Sequence, residues 1–397
     1  MAALKYWVWL ASLPGLTNRS RLQLLQHFSS PEDVYYADVE EAVRAGLSRE
    51  QAEKIAERSL ERADAILGEC SKKDIFVVTM DDAAYPARLR HIFDPPVLLY
   101  GKGAMPLFDD EAAIASVGTR DATPYGLHAA EELCYQMAGA GALIVSGMAR
   151  GIDAASHRGA LRAGGFTAAV LGCGPDVPYP ESNRRLYEDI AATGVILSEY
   201  APGTGVERWH FPARNRIISG LCLGTLVVEA PESSGALITA KTALEQGRDV
   251  FAVPGPIDAP ASWGCNRLIR SGAGLVCTGW DLLEEYAGQY PHRLHRRDAP
   301  LPDLPAPEAA EVVPGPVIAA PARELTRAQW QALGDDERAV LRALPADRPM
   351  LTDELAERTE LPVRRVLSAL TMLEIDEYAA QSGARSFLRA VELPQEE

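Results

Sequence analysis

Signatures of the common catalytic and metal sites are missing from this chain of 397 residues. There is no GxxxxGK(S/T) loop, so ATP hydrolysis of the P-loop type is not expected. The first strand turn carries no GxGxxG motif, which argues against NAD. Neither an HExxH or GxSxG motif nor a paired-histidine cluster occurs. These absences predict a protein without catalytic residues, a metal ion or a cofactor.

Cysteines are also few, and none of the six belongs to a CxxC pair. The one close spacing, Cys265 with Cys277, lacks a histidine partner at zinc-binding spacing. Most of the cysteines lie in or beside apolar runs typical of strands. We therefore expect buried free thiols in a reducing cytoplasm.

Long hydrophobic runs are missing too. The N-terminal run YWVWLASL is far shorter than the ~20 residues that span a bilayer, and it lacks the basic flank and cleavage site of a signal peptide. We expect a cytoplasmic protein with no membrane partner. The net charge of −16 argues against a surface coated for duplex DNA, but a phosphate site needs only a local basic cleft.

The length predicts two to three domains, and the composition changes along the chain. Residues 1–72 have apolar residues at helical spacing, and they resemble a helix-hairpin-helix or sterile-alpha-motif-like unit. A small helical cap packed on its neighbour explains the same pattern. Residues 291–325 are rich in Pro and Ala and predict a linker. Residues 326–397 predict three helices, the last continuing to residue 381, and then a short strand, as in a winged helix.

Residues 73–290 alternate short apolar runs with segments of helix length. The runs are IFVVTM, VLLYG, AAIASVG, ALIVSG, TAAVLG, GVILSEY, CLGTLVVEA, DVFAVPG and GLVC. This alternation predicts a parallel, doubly wound Rossmann-like sheet with helices on both faces. A ligand of such a sheet binds beyond the carboxyl ends of the strands, where the Gly-rich junctions lie.

Two of those junctions combine glycine, hydroxyl and arginine residues. Gly118-Thr119-Arg120 ends one strand, and SGMARGID follows another. Glycines let backbone N–H groups point at an anion, and an arginine forks onto a phosphate. In SGMARGID, Asp153 alternatively caps the following helix, and the nearby His157 is expected to be structural.

A third segment, ERWHFPARNRIISG, interleaves arginines with aromatic residues. Arg208, Arg214 and Arg216 surround Trp209 and Phe211, a pattern that suits single-stranded nucleic acid because rings stack on bases. Trp209 alternatively packs in the core. In a fourth segment, VVEAPESSGALITAKTALEQG, residues 233–235 begin a helix whose N-terminus suits an anion, and Lys241 lies further along it.

These motifs occur together in one known family. SVGTR, IVSGMARGIDAASHRGAL, AVLGCGPDVPYPESNRRL, SEYAPG, FPARNRIISGL, VVEAPESSGALITAKTALEQGRDVFAVPG and GCNRLIRSGA follow one another in the order seen in the DNA-processing protein A family, also called DprA or Smf. The resemblance covers residues 75–285, and the flanking helical and winged-helix segments also fit.

The resemblance implies a single-stranded DNA-binding protein with an extended Rossmann fold. It implies a homodimer through the Rossmann domain that loads the recombinase RecA onto DNA, in natural transformation or recombination, alongside single-strand-binding protein. Thr119 departs from the Ser usual in the family but keeps the hydroxyl. The strand-binding residues carried over by motif are Gly118, Thr119, Arg120, Ser146, Gly147, Arg150, Gly151, Arg208, Phe211 for base stacking, Arg214, Asn215, Arg216 and Lys241.

Two other functions remain open at this point. One is a nucleotide phosphoribohydrolase-like Rossmann enzyme with Glu229 as the acid/base, although the PGGxGTxxE turn of that group is replaced here by APESSGALITA. The other is a transcription regulator that uses the winged helix on duplex DNA. The helix expected to read DNA carries Arg364 and Arg365 but also Glu374 and Asp376, which argues against it.

Overall fold

The computed structural model describes residues 2–296 and 323–394, apart from 347, 377 and 382–385. It divides into two compact units, Met1–Asp298 and Ala299–Glu397. Most of the predicted linker, residues 297–322, lies outside the described residues. Its two ends belong to the units instead, since Leu294 is buried in the core of the first and Leu325 in the core of the second.

Six short helices form the N-terminal part of the first unit. Side-chain oxygens of Thr17, Ser30, Asp38 and Ser48 accept hydrogen bonds from the first turns of four of them, which accounts for the interruptions. Their apolar core is shared with the strand residues Leu98 and Tyr100, so these helices pack directly on the edge of the sheet. The helices are Ala2–Ser12 (α1), Asn18–His27 (α2), Pro31–Tyr36 (α3), Val39–Arg44 (α4), Arg49–Ala56 (α5) and Glu61–Lys72 (α6).

Nine strands form one sheet in the order β1-β2-β6-β5-β4-β3-β7-β8-β9. Each of the nine predicted apolar runs contributes one strand. The strands are Phe76–Thr79 (β1), Leu98–Gly103 (β2), Ala113–Val117 (β3), Leu143–Ser146 (β4), Thr167–Val170 (β5), Val195–Ser198 (β6), Gly224–Val227 (β7), Asp249–Ala252 (β8) and Gly274–Leu275 (β9).

The prediction of an entirely parallel sheet was wrong at one edge. Strands β3–β9 are parallel, but β1 pairs with β2 and β2 pairs with β6 in antiparallel fashion. The apolar content of the runs does not encode direction, because a strand that is covered on both faces is apolar whichever way it points. The N-terminal helices cover this antiparallel edge.

Helices cover both faces of the sheet, as predicted for a doubly wound fold. Along β3, Ala113 and Ala115 contribute to the core on one face and Ile114 to the core on the other. The chain order runs from β3 outward through β6, and β7 then returns beside β3. The helices are Ala87–Arg90 (α7), Pro124–Gly139 (α8), Ile152–Arg162 (α9), Arg184–Thr193 (α10), His210–Gly220 (α11), Gly235–Glu245 (α12), Trp263–Arg270 (α13) and Gly279–Ala287 (α14).

The second unit, as far as the structure describes it, combines four helices with a small antiparallel sheet and one parallel strand pair. Strands β11, β13 and β12 form one sheet in that order, and β10 pairs with β14. The predicted third helix ends at Ile375, and residues 379–381 are a strand because their backbone pairs with β13. The elements are Arg323–Glu324 (β10), Arg327–Ala332 (α15), Asp335–Ala343 (α16), Met350–Leu351 (β11), Thr352–Thr359 (α17), Val363–Ile375 (α18), Ala379–Gln381 (β12), Ser386–Arg389 (β13) and Val391–Glu392 (β14).

Two further expectations concern cysteines and membranes. All six thiols are free; five are buried, and Cys277 is exposed. Within the described ranges, no helix has the length and apolar character that crossing a bilayer requires.

His157, on α9, is fully buried, as expected for a structural histidine. The Thr167 hydroxyl donates its proton to the carbonyl of Ile144 at 2.8 Å, so it accepts from Nδ1–H of His157 at 2.7 Å. This arrangement fits the neutral ring, and burial lowers the pKa of His157 to about 3.

We expect this histidine to make stability depend on pH. Its pKa in the folded chain lies below its ordinary value of 6.5, so the unfolded chain binds more protons between pH 6.5 and 3. The free energy of unfolding should therefore fall as pH decreases through that window. Urea unfolding at pH 7.5 and 5 should show a smaller loss in His157→Asn than in the parent chain; equal losses would contradict the assignment.

Candidate nucleic-acid interface

A cleft opens at the carboxyl ends of the parallel strands, where the loops after β3, β4 and β7 meet the start of α11. Its volume is about 800 Å³. The cleft lies where β3 and β7 are neighbours while their following connections run to opposite sides, which is the usual ligand position in doubly wound sheets. Residues from all three loops line it, including Gly118–Asp121, Ala149 and Ser233–Ala236.

Backbone hydrogen bonds join these loops into one surface. The Thr119 N–H donates to the Glu229 carbonyl at 2.7 Å, and the Ile152 N–H donates to the Thr119 carbonyl at 3.2 Å. Gly151 has a φ of +75°, and a Cβ there would collide with the carbonyl oxygens of Thr119 and Arg120. The glycine is therefore required for the loop after β4 to approach the loop after β3.

Three arginines present exposed side chains around this cleft. Arg120 and Arg208 line it, and Arg150 lies beside Arg120 on the wall of a smaller adjoining pocket. Among the described residues none of the three forms an ion pair with a carboxylate. Their guanidinium groups are therefore available to an anionic ligand, which fits the predicted phosphate contacts.

An aromatic ring lies beside one of these arginines. Phe211 is half-buried, and its ring lies 4.8 Å from the Arg120 guanidinium carbon and 5.8 Å from the Tyr179 ring. Phe211 and Tyr179 line both the main cleft and the smaller pocket. The structure thus brings together the predicted stacking residue and a predicted phosphate-binding arginine.

Arg214 takes a different position from the one expected. It lines the cleft, but only 4% of the residue is exposed, and Nη1 donates to the carbonyls of Gly147 and Val170 at 2.6 and 2.5 Å. Nε donates to the Asn215 side-chain carbonyl at 3.1 Å. Burial lowers the pKa of Arg214, and the nearby Asp153 carboxylate opposes that shift. Arg214 therefore supports the wall of the cleft through Nη1 and Nε.

Arg216 and Ser146 also differ from the expectation that they contact a strand. Both Arg216 terminal nitrogens donate to the Glu199 carboxylate at 3.0 and 2.7 Å, and Nε donates to the Asp94 carbonyl at 2.8 Å. Neither Arg216 nor Ser146 lines the cleft. The Ser146 side chain is fully buried and donates to the Ser116 carbonyl at 2.6 Å. Both side chains are engaged in holding the fold.

The remaining predicted residues divide into two groups. Gly118, Thr119 and Asn215 line the cleft, and Gly147 lines the smaller pocket, where a Cβ would collide with the Arg214 guanidinium. Lys241 is highly exposed on α12, 3.7 Å from the Glu245 carboxylate, and does not line the cleft.

Glu229, the acid/base of the hydrolase alternative, and Asp153, considered as a helix cap, both accept hydrogen bonds from neighbouring loops. Glu229 accepts hydrogen bonds from the Thr123 N–H and hydroxyl at 2.8 and 2.6 Å, at the start of α8. Asp153 accepts from the Ala149 N–H at 3.3 Å and closes the loop before α9, and its burial raises its pKa. The geometry therefore does not favour the hydrolase alternative. Within the described ranges no group of three His, Cys, Asp or Glu side chains is placed to hold a metal ion.

Two aromatic residues at the site are not among the predicted site residues. Tyr179 follows a Pro-rich turn and is recognised only through its contact with Phe211. Trp209 is 65% exposed, so the interpretation of Trp209 as a core residue was wrong. Its position between Arg208 and His210 in an arginine-aromatic segment is a sequence signal for a nucleic-acid contact, but the sequence does not decide whether the ring is exposed.

Two family models match the chain. The model described as DNA recombination-mediator protein A matches residues 76–287, and the model described as DprA winged helix domain matches residues 322–384. The chain belongs to the DNA-processing protein A family. The resemblance expected from the motifs is thereby confirmed, together with the α/β fold class and the C-terminal winged helix.

Individual family members match over most of their length. The DNA processing protein DprA of Streptococcus pneumoniae is 40% identical over 287 residues, which are 72% of this chain and 99% of that protein. Protein Smf of Escherichia coli is 32% identical over 378 residues, 94% of this chain and 93% of that protein. The X-ray structure of the S. pneumoniae protein aligns with a TM-score of 0.63, covering 71% of this chain and 97% of that one.

The placement of Arg214 predicts a loss of stability on substitution. Arg214→Ala removes a buried guanidinium and leaves two carbonyls without donors, so the free energy of unfolding should fall by about 2–4 kcal/mol. Arg120→Ala, which removes an exposed arginine, should change it by less than about 1 kcal/mol. Urea unfolding followed by circular dichroism measures both. Equal stability of the two variants would refute the supporting role of Arg214.

Proposed function

We propose that the chain binds single-stranded DNA with little sequence preference and acts in DNA recombination without catalysing a reaction itself. The observation that carries this proposal is the set of three exposed arginines that share the cleft and its adjoining pocket with Phe211, in a chain of net charge −16. A local basic cleft on an acidic protein concentrates attraction for an anionic strand at one place. A role in DNA processing during recombination follows from membership of the family.

The phosphates would be held by Arg120, Arg150 and Arg208, with backbone N–H groups of the Gly-rich loops beside them. A guanidinium fork binds two phosphate oxygens at once, which suits a backbone whose charge is the same for every sequence. The α12 N-terminus, where Ser234 accepts a hydrogen bond from the Ala236 N–H at 3.3 Å, adds a positive helix-dipole end on the opposite wall. Lys241, further along α12, would add only long-range attraction.

The preference for a single strand follows from the aromatic ring. Phe211 stacks on a base only when the face of that base is accessible, as it is in an unpaired strand and is not inside a duplex. In the second unit, Arg365 donates to the Asp336 carboxylate through two nitrogens, at 2.8 and 2.5 Å. One of the two arginines on α18 is therefore already paired, which weakens the case for duplex binding there.

RecA loading, cooperation with single-strand-binding protein and dimerisation through the sheet domain complete the proposal. Family resemblance motivates all three. A physical argument supports the dimer, because a cleft with a few phosphate contacts binds weakly by itself. Two clefts on one dimer raise the apparent affinity for a long strand through effective concentration.

We expect binding to single-stranded DNA that weakens with salt and exceeds binding to duplex. Three to five phosphate contacts predict a slope of log K against log salt of roughly −2 to −3.5 for a single strand. Fluorescence anisotropy with a labelled oligonucleotide, alone and annealed to its complement, measures the slope and the preference. Equal affinity for duplex, or a response independent of salt, would refute the proposal.

Substitutions in the cleft serve as controls for that measurement. Arg120→Ala should weaken binding by about 1.5–3 kcal/mol through the lost charge-assisted contact, and Phe211→Ala by about 1–3 kcal/mol through lost stacking. Arg44→Ala on α4 removes the same charge from an exposed site that does not line the cleft, and should change affinity little. If all three variants bind alike, the cleft is not the binding site.

The loader role predicts a kinetic effect on RecA. Substoichiometric full-length protein should shorten the lag of RecA filament assembly on strands already coated by single-strand-binding protein, because filament nucleation is the step a loader assists. Light scattering should report a dimer at micromolar concentration. An unchanged lag with intact DNA binding would leave a DNA-binding protein without the loader function.

A further inference from the structure

Trp209 is the large aromatic side chain at this site that is most exposed to solvent. It is 65% exposed, immediately before α11, between Arg208 and His210 in the chain. Burying an indole on folding is favourable, so a tryptophan left this open beside a basic cleft indicates a surface that meets another molecule. Single exposed apolar residues are common on surfaces, but this ring is also held in place by its neighbours.

The neighbours of Trp209 hold it as a fixed platform. The His210 ring lies 4.1 Å from the Trp209 ring at an interplanar angle of 70°, and Tyr200 lies 6.3 Å away at 83°. His210 is itself buried, with Nδ1 2.9 Å from the Gly172 carbonyl and its ring 3.8 Å from the Tyr200 ring. Both neighbours thus approach at steep angles, which supports the indole while much of its surface stays open to solvent.

The side chains of Trp209 and Phe211 point in different directions. Residues two apart at a helix start point about 200° from each other, so the two rings do not share one base. Arg208 and Phe211 line the main cleft, and Trp209 does not. Phe211 already contacts Arg120 and Tyr179, whereas Trp209 is exposed before any ligand binds.

We propose that Trp209 is a second base-stacking contact, which receives a nucleotide of the same strand just outside the cleft. The inference rests on the proposed single-stranded DNA binding and extends the path of the strand past Arg208. Phe211 would hold one base within the cleft, and Trp209 would hold another after the strand leaves it. The expected ligand is an unpaired, flexible strand with accessible base faces, of any sequence.

The affinities of the parent chain and of two variants at position 209 for two kinds of strand test the contact. Trp209→Ala should bind an oligothymidine about 5- to 150-fold more weakly, and Trp209→Phe should recover most of the loss. On an oligonucleotide of equal length with abasic sites, the parent chain and Trp209→Ala should bind alike, because no base remains to stack. A loss that persists on the abasic strand would overturn the stacking role.

Intrinsic fluorescence gives an independent readout. The chain has six tryptophans, and stacking on a base should quench the emission of Trp209. Oligothymidine should therefore quench the parent chain and quench Trp209→Phe much less. Trp263→Phe is the matched control, since Trp263 is also exposed (46%) but does not line the cleft, and it should keep the full quench.

The outcomes separate this inference from the proposed function. If the parent chain fails to bind oligothymidine by anisotropy, the proposed function fails. If the parent binds and Trp209→Ala binds equally well, or if the quench survives in Trp209→Phe, only the second stacking contact is refuted.

Discussion

The order of the strands is the constraint on which the site depends. Because β7 returns to pair with β3 after the chain has wound outward to β6, the connections after these two neighbours run to opposite sides. A cleft of about 800 Å³ therefore opens at their carboxyl ends. The Gly-rich loops, the arginines and the aromatic ring all lie around this gap, although they come from distant parts of the sequence.

Arg214 connects the wall of the cleft to the sheet. Its guanidinium bonds the carbonyls that follow β4 and end β5, from a helix that begins at the rim. A buried cation is costly unless it is hydrogen-bonded and paired, and the bonds from Nη1 and Nε, together with the nearby Asp153, offset that cost. Arg214 makes these buried contacts. The exposed Arg120, Arg150 and Arg208 form no ion pair among the described residues and are available to a ligand. Arginines only a few residues apart in one motif therefore have different functions.

The aromatic residues at the rim also differ in burial and in direction, although they are neighbours in the sequence. His210 is buried and supports Trp209, while Phe211 turns into the cleft. Three consecutive aromatic residues thus point in three directions, because they lie at the start of a helix where each residue rotates by about 100°. One segment of sequence provides a support, a ring inside the cleft and a ring outside it.

Much of the fold was predictable from the sequence. Short apolar runs separated by segments of helix length predicted all nine strands and the two-sided helical cover, since local burial patterns encode them. The direction of β1 and β2 was not predictable, because a doubly covered strand has the same composition in either orientation. The end of α18 was missed because residues 379–381 become a strand only by pairing with β13.

For the site, sequence determined the types of residue and tertiary structure decided their roles. Motif order was enough to indicate the family, the glycines at the turns and the arginine-aromatic chemistry of the cleft. Whether an arginine is exposed like Arg120, buried like Arg214 or ion-paired like Arg216 depends on partners more than 15 residues away in the chain. Trp209 was assigned to the surface only by its three-dimensional neighbours, because local sequence does not report which side of a helix start faces solvent.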